Sequence, residues 1–503
     1  MGGETGQLES NAQLGFGFEV AQGGGQPEAM AGDEDFVTGA EGEFFVGAQR
    51  LEEYLAAHQQ GWVVRMKGLL EELDYSQFTR RYKRTGRRAL HPKLLLGLIA
   101  YGMSRGQWTL RELERLAVVD LGAMWMSGRV QPDHSTIGKF VLLHRELLSE
   151  QFVVELVKHV VKKLQVKADT VAIDGTVIEA VASRYRMLKA EALREAGLSD
   201  EAAQLLKDRE EARTARGRAA EATMMVAQEP EAVVQPTKHG LMRPSYKPSA
   251  LRHQSGLVIA QAMHACSETA VVRELLEQHV AVFAVEPPRL LADAGYGGIE
   301  QLKEFVRRDI DALVPAGHAR AAEPWEKRSN GKQFPKSRFA YDEARDLYHC
   351  PAGRTLTPEG KPGAAPQGYV RYRGRECEGC LLRTQCTKST KAGRTLKRYA
   401  GEEYKEAMAT VLQQPAALRH WRRRSSLIEP LFADLRERQR LTRFHRRGLA
   451  KVKLEFALHC VAYNLRKVVG GAAFFVVLTV YVREPDSNWK LFAMVTFFSS
   501  PSL

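Results

Sequence analysis

Asp174 ends the apolar run Val171, Ala172, Ile173 and is followed by Gly175, while Asp293 ends Leu290, Leu291, Ala292 and precedes the turn residues Gly295, Tyr296, Gly297 and Gly298. A carboxylate inside a buried strand is costly unless it binds a metal or a cationic partner. Taken singly, each aspartate has a plainer explanation, a side chain capping the turn at a strand end. Two such aspartates in one basic chain favour shared chemistry. Phosphoryl transfer on nucleic acid is commonly run by two Mg²⁺ ions about 3.5–4 Å apart, which activate the attacking oxygen and stabilise the leaving one. Such hard ions want oxygen ligands, so a third carboxylate is expected from a helix packed on the sheet. The stretch RRRSSLIEPLFADLRERQRLTRFHRRG supplies Glu429, which follows Leu427 and Ile428, with Leu431, Phe432 and Leu435 completing an apolar stripe. Asp434 and Glu437 share that helix, and a solvated surface acid is the plain alternative there. Arg436 lies two turns beyond Glu429 on the same face, where a cation can meet a phosphate backbone.

The elements that must hold these residues follow from periodicity. Residues 1–45 are rich in Gly, Glu and Gln with little apolar periodicity and are expected to form a disordered leader. Residues 46–160 repeat apolar positions at three and four, which predicts a compact helical domain; Thr109 with Glu112 forms a capping-box pattern, and Pro132, Asp133 and Ser135 precede another helix. From residue 165 to 470 strands alternate with helices, which argues for an α/β class built on a layered sheet. Two insertions interrupt it: a charged, Ala-rich helical pair within about 187–240, and a basic, Pro- and Gly-rich stretch over about 318–400. The tail, 471–503, is a separate apolar piece whose stretch AAFFVVLTVYV reads as a strand. It falls well short of the roughly 20 residues needed to span a bilayer, so no membrane anchor is expected.

The chain has 503 residues, 73 Lys plus Arg against 60 Asp plus Glu, and a net charge of +13. That excess favours a polyanionic partner over an acidic small substrate, with ordinary solubility as the bland alternative. Basic side chains cluster twice. Arg440, Arg443, His445, Arg446, Arg447, Lys451 and Lys453 follow the glutamate helix with Phe444 interleaved; Arg80, Arg81, Lys83, Arg84, Arg87 and Arg88 form a second group in the helical domain. Both suit contacts to a DNA backbone, and both could be solvated faces. The first residues lack the basic start and apolar run of a secretory signal, so a reducing cytosol is the expected compartment. Four of the six cysteines, Cys350, Cys377, Cys380 and Cys386, fall in the second insertion, with a CxxC at 377–380. That pattern suits a structural Zn²⁺ site stapling a stretch with little apolar content, with unligated thiols as the alternative. Cys266 and Cys460 read as core residues.

At four blocks the sequence resembles the DDE transposases of bacterial insertion sequences: PDHSTIGKF at 132–140, AIDGTVIEA with AS following at 172–183, LLADAGYGG at 290–298, and IEPLFADLR through AYNLRK at 428–467. Order and spacing match as well, over roughly residues 60–467, with motifs strong in combination and weak singly. The resemblance implies an RNase H-like catalytic domain, an N-terminal helical domain that helps hold the element's terminal DNA, and Asp174, Asp293 and Glu429 as ligands for Mg²⁺ or Mn²⁺. It implies DNA, both element ends and target, as partner, and a homodimer or higher assembly on that DNA. Relatives in one branch carry a similar YHCPAG and CEGC with RTQC, which extends the zinc expectation to the family. The sequence departs from the pattern at SYKPSALRHQSG, where Ser245 and Tyr246 remain but a polar pair is lost, and at SETAVV, which lacks an aspartate often found there. Ser425 stands where a basic residue usually lies four positions before the glutamate, preceded here by Arg422, Arg423 and Arg424, and Arg436 replaces the commoner Lys. Two other readings share these residues: a metal-dependent nuclease on the same fold, and a transposase-derived DNA-binding protein that no longer cuts.

Overall fold

The computed structural model describes residues 33–40, 43–83, 87–215, 217–237, 240–315, 333–359, 368–389 and 391–470, and the backbone of 477–483 and 489–495. The helical region forms as the periodicity requires. Helix α1 (Pro92–Ser104) has Pro at its first turn and the His91 ring accepting from the Lys93 N–H. It is apolar almost all round, and so is buried from Pro92 to Met103 among its neighbours. The next helix, α2 (Leu110–Val119), begins at the expected capping box of Thr109 and Glu112. The two helices close tightly at Gly102, where a Cβ would lie 2.3 Å from Leu113 Cδ2 and 2.5 Å from the Gln107 carbonyl. Packing already begins within the stretch expected to be disordered. Phe36 is buried edge-on against Tyr82, and the Val37 backbone bonds that of Ala89 and His91, because one large aromatic with two ladder bonds offsets the ordering of a short segment.

The sheet that follows is mixed. Strands β1 (Thr170–Gly175), β2 (Ile178–Glu179), β3 (Val233–Pro236), β4 (Met242–His253), β5 (Val258–His264), β6 (Arg289–Leu291) and β7 (Asp311–Leu313) give the path β7-β6-β1-β4, with β5, β2 and β3 all pairing along the long β4. Strands β1, β6 and β7 run parallel, while β4 is antiparallel to β1 and β5. The first four residues of β1 are fully buried, the mark of a strand covered on both faces. Helices α3 (Val272–Phe283) and α4 (Ile299–Arg307) connect the strands on the expected pattern.

The C-terminal third returns to helices. Helix α5 (Arg424–Glu437) turns the stripe Leu427, Ile428, Leu431, Phe432 and Leu435 inward, and α6 (Leu449–Gly470) runs 22 residues through the middle of the molecule. A single hydrophobic core joins α1 and α2 to α5, α6 and β5. Helix α6 is locked to β5 by Asn464, whose amide accepts from Val258 N–H at 2.8 Å and donates to the Val258 carbonyl at 2.7 Å. Buried Arg252 ties β4 to the Leu427 carbonyl and to the Tyr463 hydroxyl. The charged stretch after β2 forms the expected helical pair, Ala190–Glu195 and Asp200–Thr214, around Leu193, Leu206 and Met225.

Where periodicity was poor, the cysteine-bearing stretch forms a five-stranded antiparallel sheet, β8 (Ala340–Asp342), β9 (Leu347–His349), β10 (Thr355–Glu359), β11 (Tyr369–Gly374) and β12 (Thr395–Tyr399), over a small core of Phe339, Tyr348, Leu356, Tyr372 and Leu396. The tail contains the expected strand, Val477–Arg483, paired antiparallel with Trp489–Val495. No helix among the described residues is long and apolar enough to cross a membrane. Replacing Asn464 by Ala strands two buried backbone groups of β5, and an unpaired buried group costs about 1–3 kcal/mol. Asn464→Ala is therefore expected to lower unfolding stability by about 2 kcal/mol or more in a urea titration; an unchanged midpoint would show the lock to be dispensable.

Candidate active site

Sheet register brings the two aspartates together. Leu290 pairs with Val171 and Leu291 with Ala172 in parallel, so two residues further on Asp293 stands beside Asp174 at the same end of neighbouring strands. Asp293 accepts from the Gly295 N–H at 2.8 Å and caps a short 3-10 turn, as a strand-end aspartate would; Asp174 accepts from Gly175 N–H at 2.8 Å. Asp174 also receives Arg424 Nη1 from the start of α5 at 3.0 Å, with both side chains more than four-fifths covered. Burial pushes the Asp174 carboxyl above its ordinary pKa; the Arg424 guanidinium and the Gly175 N–H pull it down, and the Asp293 charge raises it again. Desolvation outweighs the ion pair, as expected for a charge held out of water.

The third carboxylate stands apart. Glu429 is exposed on α5, while Leu427 and Ile428 beside it are buried. A rise of about 1.5 Å per residue places it about 8 Å along the axis from Arg424. Two turns on, Arg436 donates to the Thr176 hydroxyl, two residues past Asp174. Glu429 therefore lies on the helix between two arginines that each touch the Asp174 strand end. Asp434, the other acid the sequence offered on this helix beside Glu437, is ion-paired with Arg466 of α6. Among the described residues, no group of three or more His, Cys, Asp or Glu is placed to hold a metal ion.

Several contributors were not legible by type and spacing. Arg424 stood in a run of three arginines without distinction, and only the packing of α5 on β1 selects it. Trp421 Nε1 donates to the Ala292 carbonyl at 2.9 Å, fastening the segment before α5 to the residue before Asp293. Glu268, in the departing SETAVV stretch, lies against Gly175 and Gly295. Ser245 and Tyr246 are core residues: Tyr246 is fully buried and its hydroxyl donates to Glu229.

The basic residues divide. Arg440, Arg447 and Lys451 are exposed beyond α5, as are Arg80 and Lys83 in the helical region. Arg84 lies outside the described residues. Arg443 instead donates to the Ala180 and Val181 carbonyls, Arg81 to the Leu143 carbonyl, and Lys453 pairs with Glu150 and Glu274. Arg446 is half-buried beside Glu455, and burial lowers its pKa. These side chains spend donors on the fold that a phosphate contact would need. Cys350, Cys377, Cys380 and Cys386 are free thiols lining one cavity, with Cys386 raised by burial, lowered by Arg394 and raised again by the other three. They form no ligand group of the kind zinc requires, so the zinc expectation finds no support here. Cys460 is buried as expected, whereas Cys266 is exposed, because it sits in the turn past the end of β5.

With this geometry in place, two family matches become informative. Residues 349–469 match the Transposase DDE domain, and residues 53–142 match the Transposase domain (DUF772). The first takes in the last three strands of the small β-sheet, α5 with Glu429, and nearly all of α6; the second takes in the helical region through most of the helix capped by Asp133. No curated protein matches the chain. Together the two matches support a DDE transposase of an insertion sequence, a family that acts on DNA with a divalent metal, typically Mg²⁺.

The raised pKa of Asp174 has a measurable sign. Because its folded pKa exceeds the unfolded value of 3.8, ionisation opposes folding; the cost is absent below that value and is felt in full above the raised one. Asp174→Asn in metal-free buffer is expected to improve thermal stability relative to wild type more at pH 7 than at pH 4. Equal shifts at both pH values would contradict a desolvated carboxylate.

Proposed function

We propose that this chain catalyses DNA cleavage and strand transfer for an insertion sequence, on an RNase H-like domain over residues 165–470, with Asp174, Asp293 and Glu429 as its metal-binding carboxylates. The observation that carries the reading is the register of β1 and β6, which sets two aspartates side by side at strand ends with a cation already drawn to one of them. The sheet supports it too: three successive antiparallel strands, β1, β4 and β5, are followed by two parallel ones on the other side of β1.

Residue chemistry fits hard cations. Asp174 and Asp293 offer oxygen donors, and the half-buried setting keeps competing water low. Mg²⁺ or Mn²⁺ held there would activate the attacking hydroxyl and stabilise the leaving 3′-oxygen. Arg424 offsets part of the Asp174 charge, and Glu429 supplies the third carboxylate from α5. Arg436 orients the strand end through Thr176, while Arg440, Arg447 and Lys451 grip phosphates beyond the helix. The helical domain, residues 46–160, holds the element's terminal DNA with Arg80, Lys83 and Arg84, in a homodimer or higher assembly in the cytosol.

Asp174→Ala and Asp293→Ala are each expected to abolish Mg²⁺-dependent cleavage of a DNA fragment carrying the element ends while leaving its binding largely intact. Cleavage at the wild-type rate in either variant would remove the assignment; cleavage without joining in the wild type would reduce the protein to a nuclease. For the basic tract, the paired change Arg447→Ala with Lys451→Ala is expected to reduce the slope of log affinity against log salt by about 1.8, about 0.9 for each phosphate no longer neutralised. An unchanged slope would return both residues to ordinary solvated surface.

A further inference from the structure

Glu268 follows β5 in the connection to α3 and reaches back to the strand ends that carry the two aspartates. At Gly175, the residue after Asp174, a Cβ would lie 3.0 Å from Glu268 Oε2 and 2.9 Å from Ser249 Oγ. At Gly295 a Cβ would lie 2.9 Å from Glu268 Oε1 and 2.9 Å from Asp293 Oδ1. The two oxygens of one glutamate thus border both glycines, one beside each aspartate, and any larger residue at either position would push the carboxylate away. Both glycines are needed for this approach, not for backbone freedom, since neither has a positive φ.

Two hydroxyls mark the same place. Ser249, opposite Gly175 on β4, and Tyr296, at the end of the turn after Asp293, are completely buried and near one another, and neither Oγ nor Oη makes a hydrogen bond of normal geometry. Buried polar groups are almost always paired, and an unpaired one costs about 1–3 kcal/mol. Tyr296 directly follows Gly295, which Glu268 and Asp293 both approach, and Ser249 faces Gly175, which Glu268 also approaches. Each of two carboxylates has its own cation: Lys247 Nζ lies 3.0 Å from Glu268 Oε2, and Arg424 Nη1 lies 3.0 Å from Asp174 Oδ2. Asp174, Asp293 and Glu268 do not already converge as a ligand group, and the two basic side chains held on two of them leave one negative charge uncompensated, beside poorly satisfied hydroxyl oxygens.

We propose that Glu268 is a further metal-binding carboxylate, closing an oxygen-lined site for one divalent cation with Asp174 and Asp293, while the Ser249 and Tyr296 hydroxyls complete its wall. Lys247 and Arg424 stand in for the ion's charge in the metal-free chain and withdraw when it binds. The inference rests on the metal-dependent reading of Asp174 and Asp293, and it places the first ion on three elements of the sheet, independent of where α5 presents Glu429.

The test is binding of Tb³⁺ to the full-length protein without DNA, read as tyrosine-sensitised luminescence and by competition with Mg²⁺. Glu268→Gln is expected to weaken Tb³⁺ binding roughly tenfold or more, as Asp174→Asn does, and Glu268→Asp, which keeps the charge and the Lys247 partner, to weaken it less. Tyr296→Phe is expected to lower the sensitised signal more than the affinity. Wild-type Tb³⁺ affinity in Glu268→Gln, with Asp174→Asn weakened, would overturn the proposal and leave Glu268 as the counter-ion of Lys247. Should Glu268→Gln fail to fold, Glu268→Asp decides: affinity equal to wild type overturns the proposal. Failure of the transposase reading looks different: Tb³⁺ binding would still depend on the three carboxylates, while no DNA carrying element ends would be cut.

Discussion

Asp174 and Asp293 meet because Leu291 pairs with Ala172, and a chain that gathers carboxylates at a half-buried strand edge must supply charge or donors to hold them. Most of what surrounds the site answers that requirement. Arg424 reaches Asp174 from α5, Lys247 reaches Glu268 from β4, and the Gly175 and Gly295 N–H groups take one oxygen each. The compensation is incomplete, since burial still wins at Asp174. A site left in that condition costs stability, and strongly perturbed groups of this kind are concentrated where proteins place function rather than where they place support.

Position of the helix that carries Arg424 and Glu429 depends in turn on α6. Helix α6 is buried along most of its length between the N-terminal helices and the sheet, and its polar residues there are spent on fixing neighbours. Asn464 binds the edge of β5, Arg466 takes Asp434 of α5, and Glu455 accepts the His445 and Arg446 N–H groups at 2.8 and 2.9 Å. Burial pushes Glu455 up to about 8, so shaping the basic loop carries a cost in desolvation. The same loop is braced from the other side by Trp108, whose indole donates to the Gln439 carbonyl and whose ring meets His445 edge-on at 4.2 Å. The N-terminal helices, the basic loop and the mixed sheet thus share one core.

What could be read from the sequence was whatever is written in short-range pattern. Apolar runs ending in Asp174 and Asp293, the stripe around Glu429, the Thr109 capping box and the alternation of strands with helices are local features, and each appears where periodicity placed it. The five-stranded sheet over residues 340–399 was missed, because its strands are three to six residues long and its core rests on tyrosines and single leucines with no clean period of two. Glu268, Ser249 and Tyr296 were missed for another reason: their proximity comes from β4, β5 and the turn after β6 closing in space, and no spacing along the chain records it. The fate of the arginines was equally hidden. Arg424 and Arg443 look like their neighbours in sequence, and packing alone decides that one faces a carboxylate and the other backbone carbonyls.

The remaining tension lies in α5. Arg424 and Glu429 ride on one rigid element, five residues apart, so the arginine that touches Asp174 in the metal-free chain and the glutamate that would bind metal cannot both be set by independent loops. Between them the helix is at its weakest: Pro430 follows Glu429 directly and has no N–H for the Ser426 carbonyl four residues back. The Ser426 hydroxyl is turned the other way, onto the Arg423 carbonyl, and does not repair the gap. Downstream of Pro430 the helix is fixed by Leu431, Phe432 and Leu435 in the core and by Asp434 with Arg466; upstream, Ser425 is half-buried and Ser426 exposed, and the anchors are Leu427, Ile428, the Arg252 bond to the Leu427 carbonyl and the Arg424 ion pair. The Arg424 ion pair with Asp174 is therefore one of several ties on the upstream turns, beside the Arg252 bond to the Leu427 carbonyl and the Trp421 bond to the Ala292 carbonyl just before them. The turns that carry Arg424 and Glu429 are thus tied to β1, to β4 and to the residue before Asp293, while the basic loop beyond Pro430 is tied to α6 through Glu455.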